Sequence, residues 1–161
     1  MGFEGKVVLG IDPAIASIGY AAICDQTVLD YGVIKTDAKS NVSVRLRQIY
    51  DDVCELCRLL QPDAVALEMP FFSRENTNAS KVLRALGIIQ MALGDCGLQE
   101  PIFLHQSQVK SSVAQYGASK AEIQASVAFL FQLDEPPKPD DAADALAIAY
   151  AAQMGVQANV K

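Results

Sequence analysis

The sequence predicts an α/β fold in which a mixed five-stranded sheet carries helices on both faces. Three β-rich segments follow one another within the first 36 residues, and only short connections separate them. After them, segments with helical periodicity alternate with short apolar runs, a pattern typical of parallel strands joined by crossover helices. We therefore expect strands 1–3 to be antiparallel, and strands 4 and 5 to be parallel.

The first three strands are expected to form an antiparallel meander. KVVLGID (6–12) is an almost continuous apolar run, as expected of a strand that is covered on both faces. SIGYAAICD (17–25) and TVLDYGVIKT (27–36) are the next two β-rich segments. Pro13 directly follows Asp12, so the first strand is predicted to stop at a carboxylate.

A crossover helix and a buried strand come next. Over residues 41–61 the apolar side chains recur with helical spacing, and Pro62 ends the pattern. DAVALE (63–68) has the composition of a buried parallel strand, and Pro70 prevents its continuation. Because the last residue of this segment is Glu68, the fourth strand is also predicted to stop at a carboxylate.

The next helix is predicted from about Ala79 to Leu93, after a polar loop. Its apolar residues cover more of the circumference than the single stripe of an ordinary surface helix. A helix of this kind is either deeply buried or shared with another subunit. The pattern by itself leaves both alternatives open.

Four further elements are predicted in the rest of the chain. They are a short fifth strand over PIFLH (101–105), a short helix over 106–116, a helix from a Ser119–Glu122 capping box to about Phe131, and a last helix from about residue 140. We expect a single domain over residues 1–154 and a flexible C-terminal tail over 155–161.

The composition bounds the class of protein. No uninterrupted apolar stretch reaches the ~18 residues that a membrane span needs, and no positively charged signal segment opens the chain. We therefore expect a cytoplasmic protein that does not contact a membrane.

Cys54 and Cys57 form a CxxC pair, but they lie inside an amphipathic helix and no second CxxC exists. We interpret them as reduced structural thiols rather than as a zinc or redox site.

The charge distribution bears on nucleic-acid binding. A formal net charge of −6 argues against a generic nucleic-acid coat protein, because phosphate binding normally uses a basic surface. The segment from Arg74 to Lys120 nevertheless has a net charge of +2, and the rest of the chain −8. The middle of the chain is therefore the part that we expect to face phosphates.

Four carboxylates are expected to meet at one edge of the sheet. Asp12 and Glu68 end two strands that we take to be neighbours, at the edge where ligands bind in open α/β sheets. Asp141 and Asp144 are three residues apart on the last helix, so they share one face. The alternative is that these acids only stabilise the start of the helix. That explains Asp140, as an N-cap, but it explains Asp144 less well, because the effect of the helix dipole fades after the first turn.

Such a cluster requires cations. Two carboxylates ~6 Å apart repel each other by roughly 3 kcal/mol at an effective dielectric constant near 20. Ligands that offer only oxygen select magnesium or manganese over zinc. Two such ions ~4 Å apart support the in-line attack of water on a phosphodiester. The residues by themselves therefore point to metal-dependent phosphodiester chemistry, with strand-end acids of no catalytic role as the alternative.

Four stretches of the sequence resemble, in order and spacing, the signatures of the RuvC family of Holliday-junction resolvases, which have an RNase H-like fold. They are LGIDPAIASIGYAAI, LEMPFFSRENTNA, HQSQVKSSVAQYGASKAEIQ and DDAADALAIAYAA. The resemblance, from about Lys6 to Ala152, implies a single RNase H-like nuclease domain. It implies a magnesium-dependent crossover junction endodeoxyribonuclease with two Mg²⁺ ions per site, for which Mn²⁺ substitutes.

The resemblance also implies partners. It predicts a homodimer, which we expect to form through the helix over 79–93. This homodimer is expected to bind four-way junction DNA and to nick two opposing strands symmetrically during recombination and repair. A branch-migration complex of the RuvA-RuvB type is a further candidate partner. A catalytically silent junction-binding protein and an RNase H-like nuclease with another nucleic-acid substrate are the alternatives.

Individual roles follow from the family motifs. The family metal ligands fall on Asp12, Glu68, Asp141 and Asp144. The aromatic residue three after the family glutamate is associated with stacking at the opened junction centre, and here it is Phe71. Phe72 could share or replace that role, and two phenylalanines buried in the core are the alternative.

Basic residues are candidate DNA contacts. Lys110 and Lys120 match family lysines near the DNA backbone, and Lys120 at the start of a capped helix opposes the helix dipole, which a bound phosphate would explain. Arg74, Lys81 and Arg84 follow the second strand-end acid and are candidate phosphate contacts. Ordinary solvated side chains are the alternative for all five.

One position departs from the family pattern. The family turn after the first aspartate reads D-P-G, whereas this chain has Asp12-Pro13-Ala14. Alanine would be strained there if the position required a positive φ.

Overall fold

The computed structural model describes residues 3–71, 79–115 and 117–155, which contain five strands and five helices. The strands are β1 (Val7–Asp12), β2 (Ser17–Cys24), β3 (Thr27–Lys35), β4 (Ala64–Glu68) and β5 (Ile102–Leu104). The helices are α1 (Val42–Leu60), α2 (Ala79–Asp95), α3 (Gln106–Val113), α4 (Lys120–Leu130) and α5 (Asp140–Gln153).

The strands form one sheet in the order β3-β2-β1-β4-β5. β1 pairs antiparallel with β2, and β2 pairs antiparallel with β3. β4 runs parallel to both β1 and β5. The predicted mixed sheet, with antiparallel strands 1–3 and parallel strands 4 and 5, is therefore confirmed.

The element boundaries agree with the sequence to within a few residues. α3 ends at Val113, earlier than the predicted limit of residue 116, because Ala114 leaves the helix in an extended conformation. The predicted capping box is present at the start of α4: the Ser119 hydroxyl accepts from the Glu122 amide, and the Glu122 carboxylate accepts from the Ser119 amide. Of the predicted tail, only Gly155 belongs to the described residues.

The sheet separates two apolar layers. Leu9, Ile11, Val65 and Leu67 face the layer that contains α1 and α2. Their neighbours Val8 and Ala66 face the opposite layer, which contains α3, α4 and α5. Because side chains alternate between the two faces of a strand, every second residue of β1 and β4 points toward α5.

α5 lies unusually close to the sheet because glycines face it. A Cβ atom on Gly10 of β1 would overlap the carbonyl oxygen of Ala145 and would stand 2.6 Å from the amide nitrogen of Ala149. A Cβ atom on Gly19 of β2 would overlap the backbone of Asp141. The absence of side chains at these two positions lets the helix backbone rest directly on the strands.

The thiols form no disulfide among the described residues. All four cysteines are free, and Cys57 is buried in the layer between the sheet and α1. Burial raises the pKa of the Cys57 thiol to about 12, so this thiol stays protonated at neutral pH.

Within the described ranges, no helix combines the length and the apolar character that are needed to cross a bilayer.

We expect Gly10→Ala to lower the free energy of unfolding by about 1–3 kcal/mol, because the added methyl group must push α5 away from β1. Gly94→Ala in α2 is the matched control, since its Cβ would meet no atom within 4 Å and alanine favours the helix by roughly 0.5–1 kcal/mol. Urea denaturation of both variants measures the difference. Equal stability of the two variants would contradict the close contact.

Candidate active site

Two acids end neighbouring strands on the face that α5 covers. Ile11 of β1 is paired in register with Leu67 of β4, and the next residues of the two strands are Asp12 and Glu68. Ile11 and Leu67 both belong to the layer of α1 and α2. By alternation, Asp12 and Glu68 therefore point to the other side of the sheet, toward α5.

The first turns of α5 bring two more acids to the same place. Asp12, Asp141 and Asp144 each offer a carboxylate oxygen, and these oxygens all lie within 4.8 Å of one another. Glu68 is not part of this group of three, but it lines the same cavity as Asp12 and Asp144. The structure therefore brings together all four acids that the sequence singled out.

The cavity beside these acids has a volume of about 330 Å³ and is open to solvent. It contains both acidic and basic groups, with α3 and α4 supplying the basic ones. Its lining residues are Asp12, Glu68, Gln106, Val109, Lys110, Lys120, Ile123, Asp144 and Ala147.

The carboxylates are electrostatically strained without a cation. Burial, reinforced by the charges of Glu68, Asp144 and Asp141, raises the pKa of Asp12 to about 8. Burial and the charge of Asp144 raise the pKa of Glu68 to about 7. Burial also raises the pKa of Asp144, although Lys120 opposes that shift. At neutral pH, the site without a cation therefore holds protons that ordinary carboxyl groups would release.

This donor set fits a hard divalent cation. Three carboxylate oxygens within 4.8 Å of one another, with a fourth carboxylate in the same cavity, offer oxygen ligands only. Oxygen donors of this kind suit Mg²⁺ and Mn²⁺ better than Zn²⁺, which favours nitrogen and sulfur. A bound cation would also take the place of the protons that the raised pKa values indicate.

Asp140 is not the N-cap that the sequence suggested, and this prediction is wrong. The N-cap of α5 is Pro139, and Asp140 is the first residue of the helix. No side-chain hydrogen bond caps this helix end. The Asp140 carboxylate instead forms an ion pair with Lys120, with 3.4 Å between Oδ2 and Nζ.

Lys120 faces carboxylates across the mouth of the cavity. Its Nζ atom lies 3.4 Å from Asp140 Oδ2 and 3.7 Å from Asp144 Oδ2. These two acids offset the unfavourable position of a cation at the start of α4, for which the sequence had suggested a bound phosphate. Lys110, on α3, also lines the cavity, and its charge opposes the rise in the pKa of Glu68.

Three of the other predicted DNA contacts, Phe71, Lys81 and Arg84, are not among the residues that line the cavity. Phe71 is 77% exposed, so the alternative of a core phenylalanine is wrong for this residue. Lys81 and Arg84 are exposed on α2. Phe72 and Arg74 lie outside the described residues.

The sequence analysis missed one residue that contacts the acids. The Ser17 hydroxyl donates a hydrogen bond of 2.7 Å to Asp141 Oδ2. The available signal was the alternation of β2, which places Ser17 on the same face as Gly19, the register partner of Asp12.

The departure at Ala14 causes no backbone strain, because Ala14 is not among the residues with positive φ.

Comparisons with known proteins identify relatives over almost the whole chain. Residues 8–152 match the family described as "Crossover junction endodeoxyribonuclease RuvC". The protein of that name from Synechocystis sp. is 40% identical over 157 residues, covering 94% of this chain and 93% of the relative. The one from Caldicellulosiruptor saccharolyticus is 41% identical over 151 residues, covering 88% and 89%.

A solved structure is similar as well. The structure described as "T. thermophilus RuvC in complex with Holliday junction substrate" matches with a TM-score of 0.83 and 34% identity. The match covers 94% of this chain and 98% of that one. Together with the observed strand order, this similarity identifies the fold as RNase H-like.

We expect the stability of the metal-free protein to fall as the pH rises from about 4 to 8. In that range the folded protein keeps the Asp12 proton, whose pKa is raised to about 8, while the unfolded chain releases it. The slope of the unfolding free energy against pH is therefore negative, and Asp12→Asn should flatten it. Urea titrations in EDTA at several pH values measure the slope. A slope that is unchanged in Asp12→Asn would contradict the assignment.

Proposed function

This chain belongs to the RuvC family of crossover junction endodeoxyribonucleases, and we propose that it resolves four-way DNA junctions by nicking two opposing strands. The observation that carries the proposal is the meeting of Asp12, Asp141 and Asp144 within 4.8 Å beside a cavity that also contains Glu68. The relative from T. thermophilus was solved with a Holliday junction substrate, which supports the choice of substrate. We also propose that residues 1–154 act as one nuclease domain.

We propose that Asp12, Glu68, Asp141 and Asp144 are the metal ligands. Two Mg²⁺ ions, or Mn²⁺ in their place, would supply an activated water molecule and stabilise the leaving oxygen of a phosphodiester. The contribution of the chain is to hold these oxygens in place before DNA arrives. Asp12 and Glu68 are fixed by paired strands, and the two α5 acids are fixed by the contact of that helix with β1 and β2.

Basic groups around the cavity favour a phosphate substrate. Lys110 and Lys120 line the cavity beside the acids, where they would contact the DNA backbone near the cleaved bond. Because Lys120 already pairs with Asp140, its approach to a phosphate exchanges one anionic partner for another. The exposed side chains of Lys81 and Arg84 would extend this contact along the DNA.

The exposed ring of Phe71 supports a contact with bases. It lies three residues after Glu68, at the edge of the sheet where the acids stand, and 77% of it is accessible. An exposed aromatic ring can stack on bases of any identity, which suits a substrate recognised by its branched shape. Phe72 stays a prediction for the same role, and Arg74 stays a prediction for a phosphate contact; both lie outside the described residues.

We propose a homodimer that forms through α2. One face of this helix packs in the layer with α1, through residues that include Leu86 and Ile89. Leu83 and Met91 are 44% and 58% exposed, and Gly87 lies between them at spacings of four residues, so the three share another face. An exposed apolar stripe with a glycine at its centre is suited to close packing against a second copy. A RuvA-RuvB-type partner stays a prediction from the family resemblance, and a cytoplasmic location stays a prediction from the composition.

We expect Asp12→Asn and Asp144→Asn to bind a synthetic four-way junction but to cut it more than about 100-fold more slowly, because even the outer partners of metal ligands contribute 10–100-fold. Asp134→Asn, an exposed acid in the connector before α5, is the matched control. Gel-shift binding and cleavage with Mg²⁺ or EDTA are measured side by side.

The same assay separates the alternatives. Wild-type protein that binds the junction but does not cut it with Mg²⁺ would indicate a silent junction-binding protein. Preferential cutting of RNA or an RNA/DNA hybrid would indicate another RNase H-like nuclease. Full cleavage by the purified Asp144→Asn variant would count against the proposed ligands.

We expect sedimentation to report a dimer at micromolar concentration. Met91→Lys should shift the protein toward monomer, since it places a charge in the proposed apolar interface. Leu59→Lys on α1 is the matched control, because Leu59 is 61% exposed and lies on another helix. A wild-type protein that sediments only as a monomer would refute the dimer.

A further inference from the structure

We propose that Ser17 is a positioning residue that fixes the carboxylate of Asp141 for ligation. The inference rests on the proposed function, in which Asp141 is a metal ligand. It adds a residue that lies outside the four acids and that belongs to a different strand from either strand-end acid.

The contact is short and joins distant parts of the chain. Ser17 opens β2, and its Oγ atom donates to Asp141 Oδ2 across 2.7 Å, although the two residues are 124 positions apart in sequence. The bond is partly buried. A hydrogen bond from a hydroxyl to a carboxylate is stronger than one between two neutral groups, and it favours one orientation of the carboxylate.

The backbone around this bond is held as well. Ser17 and Gly19 occupy the same face of β2, because strand residues two apart point the same way. A Cβ atom on Gly19 would overlap the backbone of Asp141, so the first turn of α5 rests on the strand at this point. Gly19 therefore sets the position of the Asp141 backbone, and Ser17 sets the direction of its side chain.

Asp141 needs such a restraint because its neighbours repel it. Its carboxylate lies with those of Asp12 and Asp144 in a group whose oxygens are within 4.8 Å of one another. Asp12 is held at the end of a paired strand, and the negative charge of Asp144 is offset by the ammonium group of Lys120. For Asp141, the Ser17 hydroxyl supplies a neutral donor that opposes rotation of the carboxylate away from the cluster.

The hydrogen bond also leaves the carboxylate able to ligate. A carboxylate offers about four lone-pair sites on two oxygens, and the hydroxyl uses one of them, on Oδ2. The other oxygen stays available to a cation. A partner that orients a metal ligand in this way typically contributes 10–100-fold to metal affinity.

The test measures metal binding in the absence of DNA. Calorimetric titration of Mn²⁺ into the full-length protein is expected to give a dissociation constant about 10–100-fold higher for Ser17→Ala than for wild type. Ser17→Thr, which keeps the hydroxyl, should restore most of the affinity. Ser112→Ala is the matched control: its hydroxyl also forms a bond of 2.7 Å, to the Val109 carbonyl on α3, and its loss should leave the affinity unchanged.

A cleavage assay supplies a second readout that a merely structural role would not reproduce. The Mg²⁺ concentration for the half-maximal rate should rise in Ser17→Ala, while the rate at saturating Mg²⁺ stays within a few fold of wild type. If Ser17→Ala does not fold, Ser17→Cys, of similar size but with a weak donor, takes its place with the same expectation. Thermal unfolding in EDTA monitors the fold of each variant.

The outcomes distinguish this inference from the proposed function. Wild-type protein that binds Mn²⁺ and cuts junctions, together with Ser17→Ala of equal affinity, would overturn the positioning role alone. Equal losses in Ser17→Ala and Ser17→Thr would also overturn it, because the hydroxyl would then not be the cause. Wild-type protein that neither binds Mn²⁺ nor cuts would overturn the proposed function itself.

Discussion

The close packing of α5 on β1 and β2 is the constraint on which the site depends. Gly10 and Gly19 present no side chain to the helix, so its backbone contacts the strands directly. A side chain at either position would push the helix backbone away from the strands, and Asp141 and Asp144 would move with it. The alanine-rich sequence of α5 serves the same packing, since small residues along the helix permit the approach without leaving a gap.

This packing brings like charges together in a partly buried place, and the folding of the chain has to tolerate it. The raised pKa values of Asp12 and Glu68 express the cost, because burial and the charges of the neighbouring acids both favour the protonated form. Lys120 relieves part of it from outside, through Asp144. A site with this electrostatic strain is ready for a divalent cation, which would exchange for protons as it binds.

The acidic composition is compatible with a DNA substrate once the charges are located. Four of the acids converge at one cavity, and two divalent cations held there would change the formal net charge from −6 to −2. Lys110 and Lys120 lie at the same cavity, and Lys81 and Arg84 are exposed on α2. The overall charge therefore understates how favourable the proposed DNA-facing surface is to phosphate.

The sequence by itself predicted the directions of the strands, the element boundaries to within a few residues, and the two strand ends and the helix turn on which the four acids lie. These follow from local patterns: period-two alternation, helical periodicity, and strands that stop at Asp12 and Glu68. Tertiary structure decided the partners of single polar atoms. Neither the pairing of Asp140 with Lys120 nor the bond from Ser17 to Asp141 follows from spacing, because each joins distant segments whose separation depends on how closely α5 packs on the sheet.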